Sequence, residues 1–244
     1  MKKALIVGGA SGIGLAISVA LAEREDYDKV YILDKKQLDT TKFSHKITSR
    51  IFDITQLDYS LLSEYKDIDT LMITAGFGRL ARFEDLSERH IIDSFNVNAV
   101  GAIRIIHYFY DRLLSKETFR CGVMVSIAGF MSSPLFSVYA STKAALKIFI
   151  ESVNVELLKS GTHNCILNVS PGSIKGTAFN NGQTDLSLTM PLANEIIENL
   201  ENGNDLFIPQ YEEVYKTVLA RYANDFRKEG EHSYEYKMNS GRFS

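Results

Sequence analysis

The sequence predicts an α/β fold, a parallel sheet of about seven strands with helices on both faces. Three observations lead there. Short β-branched runs recur along the chain, helical stretches separate them, and each run is largely apolar rather than strictly alternating. Strands covered on both faces read as continuous apolar runs, and intervening helices supply the crossovers a parallel sheet needs.

The elements follow in order. KKALIVG (2–8) is a first strand that runs into a glycine-rich turn, and an Ala/Leu-rich helix over about 12–25 follows. KVYILD (29–34) closes on Asp34, and SRIFDI (49–54) precedes a short helix over about 56–65. DTLMITA (69–75) leads to a long helical stretch over about 86–116. GVMVSIA (122–128), an alanine-rich helix over 137–160, and CILNVS (165–170) come next. DLFIPQ (205–210) supplies the last strand, and from residue 211 a Tyr- and charge-rich stretch reads as helix to about 228 and then as a polar tail to 244. No Pro-, Gly- or Ser-rich linker divides the chain, so one domain over 1–244 is expected, with a substrate loop over about 173–203.

Composition narrows the function. With 45% hydrophobic residues the chain has enough apolar surface for a large core. A formal charge of −3 gives no global attraction to nucleic acid or to an anionic membrane. No run reaches the ~18 apolar residues of a membrane span. The start, MKKALIVGGASG, passes straight into glycines and reads as a first strand rather than a targeting segment. Cys121 and Cys165 belong to no CxxC pair and fall at strand starts, where buried reduced thiols are expected. The five histidines lack metal-ligand spacing, so no metal site is expected. A soluble cytoplasmic protein is the expectation. The helical stretch GAIRIIHYFYDRLL is apolar nearly all round, more than one sheet face requires, which points to a homodimer or homotetramer.

Two motifs carry chemistry. Gly8, Gly12 and Gly14 punctuate the turn from first strand to first helix, where glycines let backbone approach a pyrophosphate drawn to the helix N-terminus. Asp34 ends the second strand, placed to accept hydrogen bonds from ribose hydroxyls and to repel a 2′-phosphate, which favours NAD. Lys35 and Lys36 follow at once and keep NADP as the alternative. The second motif, SVYASTKAALK (137–147), sets Tyr139 and Lys143 on one helical face. An ammonium beside a phenol favours the phenolate. One charge at ~4 Å in a medium of dielectric ~20 supplies about 4 kcal/mol, enough to bring a pKa of ~10 toward neutrality.

On these residues the chain resembles the short-chain dehydrogenase/reductase family over 3 to about 177. The Gly8-x3-Gly12-x-Gly14 turn and the Tyr139-x3-Lys143 pair match it, Ser126 stands thirteen residues before Tyr139, Asn98 and Gly101 stand in NVNAVG, and SPGSIKGT (170–177) matches the Pro-Gly segment. The resemblance implies a Rossmann-type three-layer sandwich and reversible hydride transfer between NAD(H) or NADP(H) and an alcohol or carbonyl compound. It implies Tyr139 as proton donor and acceptor, Lys143 as its activator and ribose contact, Ser126 at the substrate oxygen, and Asn98 as anchor of a water leading to Lys143. It also implies a cofactor set of Gly8, Ser11, Gly12, Ile13, Gly14, Asp34, Asp53, Ile54, Ala75, Gly76, Tyr139, Lys143, Pro171, Gly172, Ile174 and Thr177. Read singly, Ser126 is a small residue at a strand end and Asn98 a polar group satisfying a helix kink.

The departures are specific. Val7 replaces the family's Thr, Ile73-Thr74-Ala75-Gly76 replaces Asn-Asn-Ala-Gly with the loss of two bracing amides, and Thr177 lies one residue late. Phe130, Met131, Phe136, Phe179 and Met190 suggest a partly apolar substrate pocket. The alternative function is a dinucleotide-binding sensor with little or no catalysis.

Overall fold

β1 (Lys2–Val7), β2 (Tyr27–Asp34), β3 (Ile47–Ile51), β4 (Thr70–Ile73), β5 (Arg120–Met124), β6 (Ile166–Val169) and β7 (Leu206–Phe207) are the strands of the computed structural model, which describes residues 1–177, 179 and 182–240. They form one parallel sheet in the order β3-β2-β1-β4-β5-β6-β7. The chain winds outward from β1 on one side and from β4 on the other, so the order reverses between them. A crevice opens at such a switch point, outside the carboxyl ends of the strands. Val7 pairs with Ile73 across it.

Two apolar layers cover the sheet. On one face, α1 (Gly12–Glu23) and α6 (Leu186–Glu201) bury Ile17, Leu21, Ala193, Ile196 and Leu200 against Ile6, Met72 and Leu167. On the other lie α2 (Glu88–Phe95), α3 (Ala102–Tyr108), α4 (Tyr110–Leu114) and α5 (Ser137–Ser160), which enclose Leu5, Leu71, Val123, Ile105, Phe109, Leu146 and Leu157. Both faces being covered accounts for the apolar runs. The chain closes with α7 (Lys216–Asn224) and α8 (Phe226–Met238).

α5 spans the range expected for it. The single helix expected over 86–116 is instead broken, with a π-helical turn at Asn96–Gly101 between α2 and α3 and a further break at Phe109. Residues 56–65 hold only a 3₁₀ turn, Ser60–Tyr65. The last strand is two residues long, and Pro209, two residues beyond it, has no N–H to extend a ladder. Helix at the chain's end runs to Met238, ten residues beyond the expected limit, and residues 241–244 lie outside the described residues. The substrate loop is shorter than 173–203, since residues 186–201 are α6; Met190 packs on the α1 core rather than lining a pocket.

The apolar surplus of GAIRIIHYFYDRLL largely finds partners within the chain. Ile105, Ile106 and Phe109 are buried, and Ile103, Tyr108 and Tyr110 pack partly buried on the same core. Cys121 is buried, and burial pushes its thiol pKa up. Cys165, expected buried, is only half so; its Sγ donates to Gly203 O at 3.3 Å. No helix among the described residues is long and apolar enough to cross a membrane.

Candidate active site

Each motif follows a strand whose carboxyl end faces the crevice: the glycine turn follows β1, Asp34 ends β2, Ala75 and Gly76 follow β4, Ser126 follows β5 and Pro171 follows β6. At the turn, Gly8 has φ 90°, a region disfavoured for residues with a Cβ, and its N–H donates to Leu33 O at 2.7 Å. A Cβ on Gly14 would stand 2.4 Å from both Gly8 O and Thr74 Oγ1, so only glycine fits this close crossing of helix and turn. Gly12 opens α1, and Ser11 is its N-cap without a side-chain bond to the helix. With no acidic residue in the first turn, the helix end keeps its positive potential. Ile13 packs its side chain on the α1 core. These residues fit a dinucleotide's pyrophosphate.

Asp34 braces this turn as well as ending β2. Oδ2 accepts from Ala10 N at 3.1 Å and Oδ1 from Lys36 N at 3.0 Å. Asp53 is exposed, accepts from the Thr55 N–H at 2.8 Å, and is held below the usual carboxylate range first by that backbone bond. Ile54 is buried under Gly101, and its carbonyl accepts from the Tyr59 hydroxyl.

The loss of the family's two bracing amides is compensated in part. The Thr74 hydroxyl shares its proton between Val7 O (3.1 Å) and Gly8 O (3.0 Å), tying β4 to the glycine turn. Ala75 N donates to Val7 O at 3.0 Å. Gly76 leaves room for two side chains, since a Cβ there would lie 3.2 Å from Asn98 Oδ1 and 3.4 Å from Lys143 Nζ.

Asn98 sits within the π-turn, 1% exposed. Its Oδ1 accepts from Phe77 N at 2.9 Å, and its Nδ2 donates to Phe77 O at 2.8 Å and Thr142 Oγ1 at 3.2 Å. Thr142 in turn donates to Tyr139 O at 2.7 Å. The side chain thus clamps the segment after β4 to the helix bearing Tyr139. Its bonds go to Phe77 and Thr142 rather than to backbone groups of the π-turn itself. Sequence reasoning passed over Thr74 and Thr142 because a hydroxyl's partners are invisible without the fold.

Tyr139 and Lys143 leave the same face of α5 at its first turns, and Lys143 Nζ lies 5.7 Å from the Tyr139 ring centre. Lys143 is 3% exposed and donates to Met124 O at 2.9 Å; burial lowers its pKa to about 8. Tyr139 is flanked by the rings of Phe136 (5.6 Å) and Phe179 (5.2 Å), and burial pushes its pKa up to about 12. The Ser126 side chain draws it back in the opposite direction. This corrects the expectation that Lys143 brings the phenol toward neutrality. Desolvation of the phenol wins, because the ammonium is turned onto Met124 O. Ser126 Oγ accepts from Ala128 N at 3.1 Å and donates to Pro171 O at 3.4 Å, which fixes the hydroxyl between the phenol and the segment after β6.

That segment divides. Pro171 O also accepts from Ile127 N at 3.0 Å, and Gly172 lies so close to the Tyr215 hydroxyl that a Cβ would meet it. Ile174 packs on the α1 side of the core. Thr177 does not face the glycine turn; its hydroxyl donates to Ile174 O at 3.1 Å within its own loop. The hydroxyl that reaches the turn is that of Thr184, which accepts from Gly12 N at 2.9 Å. Among the described residues no cluster of His, Cys, Asp and Glu could hold a metal ion.

Known proteins are similar to this chain in sequence and in fold. An uncharacterized oxidoreductase of Saccharomyces cerevisiae is 26% identical over 225 residues, covering 82% of this chain and 71% of its own length. Human 17-beta-hydroxysteroid dehydrogenase type 1 is 28% identical over 183 residues, 68% of this chain and 56% of its own. In structure, a short-chain dehydrogenase of Streptomyces avermitilis superposes with a TM-score of 0.77 at 21% identity, covering 98% of each chain. One from Burkholderia cenocepacia, in complex with NADP, gives 0.72 at 22% identity over 91% of this chain and 98% of its own. The family model described as short chain dehydrogenase matches residues 2–186, and by that match the chain belongs to this oxidoreductase family.

Proposed function

We propose that the protein is a dehydrogenase or reductase that moves a hydride reversibly between NAD(H) or NADP(H) and an alcohol or carbonyl substrate, with Tyr139 moving the proton. One observation carries the reading: Tyr139, Lys143 and Ser126 converge at the carboxyl ends of β4 and β5, beside a glycine turn shaped for a dinucleotide. A bound nicotinamide supplies the hydride. Ser126 orients the substrate oxygen and stabilises charge developing there. Tyr139 gives its proton to that oxygen in reduction and takes it back in oxidation, and Lys143 stabilises the phenolate left behind. Asn98 acts as a positioning residue through Phe77 and Thr142. Titration with NADH and NADPH followed by a screen of ketones and aldehydes tests the proposal, and binding of neither nucleotide would end it.

NAD is the preferred nucleotide in this reading, because the Asp34 carboxylate repels a 2′-phosphate; NADP is the alternative, as carried by the Burkholderia neighbour. Asp34→Asn keeps an acceptor for Ala10 N but removes the charge. It should improve NADP affinity relative to NAD about tenfold, about 1.4 kcal/mol. Competitive titration measures the ratio, and an unchanged ratio would show that Asp34 does not select.

The proposal includes a homo-oligomer, a dimer or tetramer, in the cytoplasm. Ile148, Val155 and Leu158 are exposed along one side of α5, a stripe more apolar than a solvated helix face needs. Light scattering at micromolar concentration should give at least twice the chain mass, and a monomer mass would remove this part.

A further inference from the structure

We propose that Arg104 is a positioning residue for the adenine end of the nucleotide site: from α3 it holds the loop after β3 in the shape that presents Asp53 and Ile54 to the base. The inference rests on the dinucleotide reading of the glycine turn and adds a residue that no sequence motif assigns.

The loop begins beside the ribose end of the crevice. Phe52 N donates to Asp34 O at 2.8 Å, so Asp53 comes directly after a residue tied to the end of β2. Asp53 Oδ1 takes both Thr55 bonds, from N at 2.8 Å and from Oγ1 at 2.7 Å. Asp53 Oδ2 and the Ile54 N–H carry no hydrogen bond among the described residues. An acceptor and a donor on adjacent residues complement the exocyclic amine and the ring N1 of adenine.

No helix or strand covers residues 52–59, and Leu57, 93% exposed, gives the outer arc no apolar anchor. α3 supplies the tie. Arg104 Nη1 donates to Gln56 O at 2.7 Å and Nη2 to Leu57 O at 2.8 Å, a fork on consecutive carbonyls that a lysine cannot match. Its guanidinium carbon lies 3.9 Å from the centre of the Tyr59 ring, a cation–π contact, and the Tyr59 hydroxyl donates to Ile54 O. Gly101, three residues before Arg104, meets Ile54 directly, since a Cβ there would stand 2.6 Å from its Cγ1. Arg104 therefore reaches Ile54 through Tyr59 and holds the outer arc through two carbonyls. A loop already in its binding shape loses less freedom when the base arrives. Without Arg104 that shape is one of several, and apparent affinity falls by the fraction that remains competent.

The test is equilibrium titration of the parent, Arg104→Ala and Arg104→Lys with NADH, NADPH and their hypoxanthine analogues. The analogues keep the fluorescent reduced nicotinamide but carry an oxygen in place of the adenine amine, which reverses the donor and acceptor pattern. The chain has no tryptophan, so the nucleotide's own fluorescence is read. The parent should prefer adenine to hypoxanthine. Arg104→Ala should bind the adenine nucleotide about ten-fold more weakly and the hypoxanthine analogue within about two-fold of the parent. Arg104→Lys, which keeps the charge and reaches one carbonyl, should show a selective loss of about three-fold, and it carries the comparison if the alanine variant does not fold. Equal losses on both bases would make Arg104 a support of the fold alone and overturn the positioning role. Unchanged adenine affinity, or a parent indifferent to the base, overturns it too while leaving the nucleotide site intact. A parent that binds neither NADH nor NADPH overturns that site's assignment itself.

Discussion

Tyr139→Phe should lower kcat for carbonyl reduction by about 10² to 10⁴, the range a positioned general acid contributes, while nucleotide affinity stays within about three-fold. The change removes one oxygen from a ring whose packing against Phe136 and Phe179 is apolar, so the pocket's shape survives. The parent's pH profile should carry a matching signature. With its pKa pushed up to about 12, the phenol stays protonated through the neutral range and donates without first gaining a proton. Reduction should therefore be level below about pH 8. It should decline above that as Lys143, with a pKa of about 8, loses the charge that stabilises the phenolate product. Alcohol oxidation needs the phenolate and should rise with pH over the same span. Steady-state rates on a substrate found by screening would measure both. A Phe variant within tenfold of the parent would mean that the proton comes from elsewhere.

What the sequence made legible and what it hid divide along a physical line. Strands buried on both faces leave an uninterrupted apolar signal, and a Tyr and Lys four apart on an Ala-rich run can share a face only as helix. The sheet, α5 and the placing of motifs at strand ends were therefore readable in advance. The π-turn at Asn96–Gly101 was not, because one extra residue in a helical turn barely disturbs the apolar spacing. Thr74, Thr142 and Thr184 act through partners 44 or more residues away or across a turn, and nothing local marks a threonine whose hydroxyl will be used. The Tyr139 pKa departs from its sequence reading for a related reason. Spacing gives the nearness of a charge, whereas desolvation depends on Phe136, Phe179 and the rest of the fold. α6 falls within the stretch that reads as substrate loop; its buried Leu192, Ala193, Ile196 and Ile197 show tertiary packing holding a helix despite Pro191 inside it.

Lys143→Met should abolish useful turnover and yet stabilise the protein. A lysine whose pKa falls from 10.5 to about 8 carries its charge at pH 7 at a cost of about 3 kcal/mol. At 3% exposure, water does little to screen that cost. The bond to Met124 O returns about 1 kcal/mol, so an apolar side chain of similar length should gain about 2 kcal/mol net. For a chain of this size that is a rise in Tm of roughly 4–8 °C. The sign with pH is a separate check. Between about 8 and 10.5 the unfolded chain holds more protons on this amine than the folded one does, so the parent gains stability as pH rises there. The gap between parent and variant should be full below pH 8 and close toward pH 10.5. Thermal melts without nucleotide at pH 7 and pH 10 measure it, and a variant that melts below the parent at pH 7 would refute the cost assigned to the buried ammonium. A charge kept at such expense beside a phenol is what a proton-transfer site requires and a packed core does not.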